Sequence, residues 1–325
     1  MSFKRGKSLS GINKLGAPEK PIAARLAVLR RQLKATRFGA LHGGASMALV
    51  YVGLLILPSV ALAGTSLTRL RPKTEEAFRS YVRATEERNN SELAQAKNLL
   101  WIDSLPDQAR RSAYATLAQG EVQLEQRHQS QAGREIPCPG GMIHHWEGLV
   151  FIPGAHINDV LRLLEDYDHH SAYYAPDVVQ SRIESRDGDH FKIFLRFRRT
   201  KVITVVLNSE HDVRYFRDSP VQAHSRSSAT HIGEVENAGK PNETEKSLDD
   251  EGGFLWGMET WWRLVEQDGG VYVQSEVVSL TRDIPTGLGW MIGPFVTGIP
   301  KETLSFTLTA TRKAVLAKLQ GQGAK

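Results

Sequence analysis

The 325-residue chain carries 41 basic and 36 acidic residues, a formal net charge of +5, and one cysteine. The single Cys138 excludes an internal disulfide. The positive charge sits at one end: residues 1–63 hold ten basic residues and one acid, leaving 31 basic and 35 acidic residues, net −4, from Gly64 onward, so net charge gives no support to a nucleic-acid partner and none is expected.

Residues 45–63 are uncharged and end in Ala61-Leu62-Ala63 before Gly64, with Pro58 upstream. A basic flank, an apolar core and a small-residue site predict a secretory signal peptide, and with it an exported, periplasmic or extracellular protein. Retained, the same 19 residues are long enough to just span a bilayer and would be the chain's membrane contact. Residues 64–135 read as a helical N-terminal region. Phe78, Tyr81, Val82 and Thr85 share one face of a first helix, Leu93, Leu99 and Leu100 suggest a second ending near Trp101, and Pro106 opens a third running to Gly120. These helices are expected to pack on the main domain, since they are too small to hold a core of their own. A short strand follows at Glu121–Gln126.

Met142–Pro153 alternates as a strand, with His144, Trp146, Val150 and Ile152 on one face and His145, Glu147 and Phe151 on the other. Asn158–Tyr167 reads as a helix that ends in an aromatic and polar cluster, Asp166–Tyr174. Strands are predicted near Val178–Ser185, Phe191–Arg198, Val202–Tyr215 and Val221–Val235, then a long, polar, mobile loop over Ala238–Gly253. Phe254–Glu266 and Val271–Arg282 flank Asp268-Gly269-Gly270 and form a hairpin. One of its faces carries Phe254, Trp256, Met258, Trp262, Leu264, Val271, Val273 and Val277, with Thr260, Ser275, Ser279 and Thr281 between them. Its other face carries Glu259, Trp261, Arg263, Tyr272, Gln274, Glu276 and Arg282, which implies a sheet buried on one side only. Pro300 suits a helix start, and Leu304, Leu308, Thr311, Val315 and Leu319 then repeat as one helical stripe that should cover the apolar face, with residues 320–325 as a tail.

This order of elements over residues 136–319, with the phrases Ser279-Leu280-Thr281-Arg282-Asp283-Ile284-Pro285 and Ile299-Pro300-Lys301-Glu302-Thr303-Leu304 at its strand-to-helix junction, resembles the START-like, or helix-grip, superfamily. That group includes lipid-transfer domains, pollen-allergen-type proteins and polyketide cyclase-like proteins. The resemblance implies an α+β fold in which a curved antiparallel sheet wraps a long C-terminal helix, here with N-terminal helices added. It also implies a cavity between the two that takes a hydrophobic small molecule or lipid. Its lining is expected from His144, Trp146, Tyr173, Tyr174, Phe191, Leu195, Val205, His211, Trp256, Met258, Trp262, Val277 and Ser279. The fold hosts carriers and enzymes alike. A cyclase, dehydratase or hydrolase in the same cavity, and an envelope-associated module that acts through its helices, are therefore the alternatives.

Three residue groups bear on chemistry. His144-His145 and His169-His170, with Asp166 and Asp168, are ligand types for zinc or iron, but adjacent strand residues point apart and the spacing fits no metal motif, so neither metal nor cofactor is expected. The strand charges Arg196, Arg198, Glu210, Arg214, Arg226, Glu234, Arg263 and Glu276 read as ion pairs on an outer sheet surface. Cys138 sits in a turn-rich connector without nucleophile partners in sequence. N-terminal sequencing of the exported protein should return Gly64 as the first residue; an intact leader in the membrane fraction would identify an anchor instead.

Overall fold

The computed structural model describes residues 70–95, 99–131, 134–200, 203–247, 250–283 and 289–323. The leader and its Ala61-Leu62-Ala63 site lie outside the described residues.

Eight strands form one antiparallel sheet: β1 (Gln123–Gln126), β2 (Gly141–Pro153), β3 (Val178–Asp187), β4 (His190–Thr200), β5 (Thr204–Ser219), β6 (Gln222–Glu236), β7 (Gly257–Gln267) and β8 (Gly270–Arg282), in the spatial order β1-β2-β8-β7-β6-β5-β4-β3. A two-residue strand, Thr244–Glu245, adds to β6. Alternation and turn chemistry account for the register. Gln267 pairs with Gly270, so Asp268 and Gly269 are the whole β7–β8 turn, and both take positive φ, +55° and +73°. Register shifts at Ile183/Ser185, Glu210/His211 and Arg217/Ser219 bend β3, β5 and β6.

The inner face of the sheet is gripped by the C-terminal helix, α5 (Gly289–Gly323). Its predicted stripe is the buried one: Leu304, Leu308, Thr311 and Val315 are enclosed and Leu319 half-enclosed. The helix begins before Pro300 and runs through it, so this proline does not open the helix; a missing N–H costs the ladder one bond and marks a start only where nothing precedes it. The closest approach is at Gly148 on β2. A Cβ there would lie 2.5 Å from Leu308 Cδ1, 2.9 Å from Leu124 Cδ2 and 3.1 Å from Leu304 Cδ2. Helix α3 (Ile157–Leu164) completes this core with Val160, Leu161 and Leu164, and Tyr167 joins it from the turn that leads to α4 (His170–Tyr173).

The outer face is covered too, which corrects the expectation of a one-sided sheet. Helix α1 (Pro72–Gln95) packs Phe78, Tyr81 and Val82 on Trp261, Val278 and Leu280. Helix α2 (Asp107–Ala118) and the turn Trp101–Ser104 pack Leu100, Ile102, Ala113 and Leu117 on Leu149, Phe151, Val265 and Tyr272. Every residue from Val271 to Glu276 is buried, whichever face it points to. The two N-terminal helices first expected before Trp101 are one helix that ends at Gln95, and Leu99 and Leu100 follow it outside. The loop expected to be mobile is tied down near its C-terminal end. The buried carboxylate of Glu234 accepts from the Gly252 N–H at 2.7 Å and the Phe254 N–H at 3.1 Å, and Lys246 lies 3.3 Å away.

The Gly148 contact makes a double-variant test. Gly148→Ala should cost about 1–3 kcal/mol by overpacking and Leu308→Ala roughly 2–5 kcal/mol by leaving a void. The two together should cost less than their sum in denaturant unfolding, because the new methyl occupies space that the leucine vacated.

Candidate ligand-binding site

Strand register turns the inner face into rows. Nearest the β7–β8 turn lie Ala223, Leu264, Val273 and Val150, each at most 1% exposed. This end is filled core. The next row is Ser225, Trp262, Ser275 and Gly148, followed by Ser227, Thr260, Val277 and Trp146, and then by Met258, Ser279 and His144. Enclosure is uneven along these rows: Trp262, Thr260, Val277, Trp146 and Met258 are only half-buried, as are Leu195 and Phe197 on β4 and Phe306 on α5, while Ser225, Ser275, Ser279 and His144 are buried. Large apolar side chains that face a concave surface without being enclosed by it are what a binding chamber offers.

Among the residues expected to line the cavity, His144, Trp146, Met258, Trp262, Val277 and Ser279 share these rows. Phe191, Leu195 and His211 lie further along the same face, on β4 and β5, opposite Val213, Ser209 and Ile193. Phe191 is fully enclosed and belongs to the core. Tyr174 is likewise core, its hydroxyl 3.0 Å from Thr311 Oγ1. Tyr173 sits beside the core with its ring 4.7 Å from the Lys318 ammonium and its hydroxyl on Asp166. Val205 pairs with Arg199 close to the β4–β5 turn, away from these rows. Trp256 is a correction. It precedes β7 and packs with the Phe78, Tyr81 and Trp261 cluster under α1, because Gly253, at φ +70°, turns the chain before the strand begins and alternation does not reach back past Gly257. Phe254, expected on the apolar face for the same reason, is exposed.

The inner histidines are held by hydroxyls. His144 Nε2 lies 3.0 Å from Thr281 Oγ1, and burial lowers its pKa. His211 sits between Ser209 Oγ at 3.0 Å and Ser227 Oγ at 3.4 Å, and burial lowers it to about 4. Both are neutral near pH 7, and their strands are separated by β8, β7 and β6, so the two do not converge on one another. His170 faces the carbonyls of Leu163 and Leu164, and His169 pairs with Asp166. Among the described residues no three His, Cys, Asp or Glu side chains gather as a metal site.

Of the charges read as outer ion pairs, Arg196 and Arg214 do pair at the surface, with Glu243 and Asp212, whereas Arg263 and Glu276 belong to a buried network, because α1 lies over them. Glu276 accepts from Asn89 Nδ2 at 2.8 Å and from Arg88, and is 2.5 Å from His145 Nε2. His145 Nδ1 lies 3.0 Å from the Tyr81 hydroxyl. Gln274 donates to Glu147 at 2.7 Å, and Arg263 donates to Glu92, to Asn89 Oδ1 and to the Leu99 carbonyl. Burial works to raise Glu276, but the bond to His145 and the charge of Arg88 override it and hold it below the usual carboxylate range. Burial, and then the charge of Glu276, push Glu147 well above that range. A recess of about 20 Å³ lies here beside Asn89, Leu93, Trp261 and Arg263, room for about one water. The network therefore clamps α1 to the sheet and offers a ligand no space. Its signal in sequence was the spacing of Tyr81, Thr85, Arg88, Asn89 and Glu92 along one face of α1.

No family model matches the chain, and no curated relative matches its sequence. Solved structures with a similar arrangement include a STAR-related lipid transfer protein of Xanthomonas axonopodis at 18% identity and TM-score 0.37, covering 58% of this chain and 98% of that one. They also include the Zhui aromatase/cyclase of Streptomyces at 14% identity and TM-score 0.35, covering 55% and 94%. A Thermus thermophilus protein is similar at 15% identity and TM-score 0.39, covering 53% and 97%. The α+β helix-grip architecture of this chain stands on its own strand order and on the seating of α5.

Glu147 gives a pH signature. Its pKa is raised by folding, so the folded state holds its proton more tightly than the unfolded chain does. That contribution to stability is complete in acid and is lost as pH rises through the raised value. The thermal midpoint of Glu147→Gln relative to the unmodified protein should rise progressively between about pH 5 and pH 9, a comparison in which the opposite contribution of the buried histidines cancels. Parallel curves for the two proteins would contradict this.

Proposed function

We propose that this protein binds a hydrophobic small molecule or lipid between the inner face of its sheet and α5, and that it does so as an exported protein. One observation carries the reading. Trp146, Val277, Met258, Thr260 and Trp262 form a continuous patch that the core does not enclose, whereas the adjoining row toward the hairpin turn is sealed. Binding is favoured over turnover because the inner histidines are neutral and held by hydroxyls, so neither is paired with a carboxylate that would make it a general base.

The direct test is native mass spectrometry of the purified protein with extraction and identification of what it carries. A bound apolar molecule is the expected result. Met258→Trp should fill the chamber, weakening that binding while leaving the thermal midpoint in place. A chamber that is already filled would respond differently: the larger side chain would overpack it and lower stability by about 1–3 kcal/mol. That outcome, together with no ligand recovered from the unmodified protein, would reject the carrier reading.

A further inference from the structure

Strands β6 and β7 separate before either ends. Their last ladder pair is Glu259 with Ser228. Beyond it β6 stays paired to β5 as far as Glu234, and Met258 and Gly257 of β7 stay paired to β8. The register shift at Glu210/His211 gives β6 an extra residue, Thr230, just past the last shared pair, and a bulge there bends the strand away from its neighbour. The sheet is therefore split along a seam. Ala229 and Ile232 stand on one side of it and Met258 on the other, all on the inner face and all only half-buried.

Residues 250–256 fill the seam and are fastened unequally to its two sides. Toward β8 the attachment is main chain: the Arg282 N–H donates to the Gly253 carbonyl at 2.8 Å, and the Trp256 N–H to the Leu280 carbonyl at 2.7 Å. Toward β6 no main-chain hydrogen bond joins them among the described residues. Two buried glutamates bridge that side instead. Glu234 accepts from the N–H groups of Gly252 and Phe254, and its own N–H donates to Glu251 Oε1 at 3.4 Å. Lys246, the cation beside Glu234, belongs to the β6 side, since its N–H donates to the Glu234 carbonyl at 2.8 Å. Parting the seam here breaks three hydrogen bonds and no strand pairing. Local opening is cheapest where so little main-chain bonding is lost. Phe254, next to Gly253, is 38% exposed, so an apolar ring meets solvent at the seam while apolar side chains flank it within.

Resting on the carrier reading, we propose that residues 250–254 are a gate through which the apolar ligand enters and leaves, latched by Glu234 and Glu251. The latch bonds the gate and not the ligand. It therefore sets the rate of exchange and leaves the affinity alone.

The uncharged fluorophore N-phenyl-1-naphthylamine serves as probe in stopped-flow binding and release, alongside amide hydrogen exchange of the peptide over residues 250–256. Glu234→Gln keeps the size of the side chain and removes the charge that Gly252, Phe254 and Lys246 share. Glu251→Ala, the second variant, removes the acceptor of a single N–H. In both, amide exchange over this peptide should quicken, by about tenfold or more in Glu234→Gln. Probe association and release should quicken together, by about fivefold in Glu234→Gln, with Kd unchanged within about twofold. Faster amide exchange with unaltered probe rates would overturn the gate and leave the carrier reading standing. Amide exchange unaltered in both variants would do the same by denying the latch, as would a Kd weakened through release alone, which would place the glutamates against the ligand. No binding of the probe by the unmodified protein would overturn the gate and the carrier reading together.

Discussion

The crossing of α5 over β2 at Gly148 sets the rest of the molecule. Glycine brings Leu304 and Leu308 down onto the strand, and no other residue type would admit them as closely. This contact divides the inner face. On the hairpin side the rows are filled to the density of a core. On the other side Trp262, Thr260, Val277, Trp146 and Met258 remain only half-enclosed.

The two faces of the sheet divide the electrostatic work. Buried charge is concentrated on the outer side, where Arg88, Asn89 and Arg263 neutralise or hydrogen-bond the carboxylates, and an ion pair of that kind survives burial only with its remaining groups satisfied. The inner side holds hydroxyls, indoles and neutral imidazoles. The separation runs through single strands: on β8, Glu276 meets Asn89 of α1 and Gln274 meets the Trp101 turn, while Ser275 and Val277 face the inner side.

Much of this architecture was legible in the sequence because periodicity is a local property. The hairpin about Asp268-Gly269, the Leu304–Val315 stripe and the face shared by His144 and Trp146 all follow from spacing of two or of about 3.6 residues. What covers a face is not local. Glu147, Gln274 and Glu276 look like a solvated surface until α1, about 190 residues before Glu276, supplies Arg88 and Asn89. Trp256 was misplaced because alternation was carried back across Gly253, where the chain turns. The enclosed Phe191 and Tyr174 were read as lining because pattern marks the apolar side of an element but not how far a helix closes over it.

The clamp of α1 on Glu276 also acts as a lock on register. A slip of one residue between β8 and its neighbours would exchange the two faces of the strand, carrying Glu276 and Gln274 into the chamber and Val277 and Ser275 beneath the helix. Neither arrangement could be neutralised where it landed, since the inner rows carry no counter-charge and Arg88 would be left without its carboxylate. The outer network therefore protects the composition of the inner surface without touching it. Alterations among Arg88, Asn89 and Glu276 act on the far side of the sheet through the pleat of a single strand.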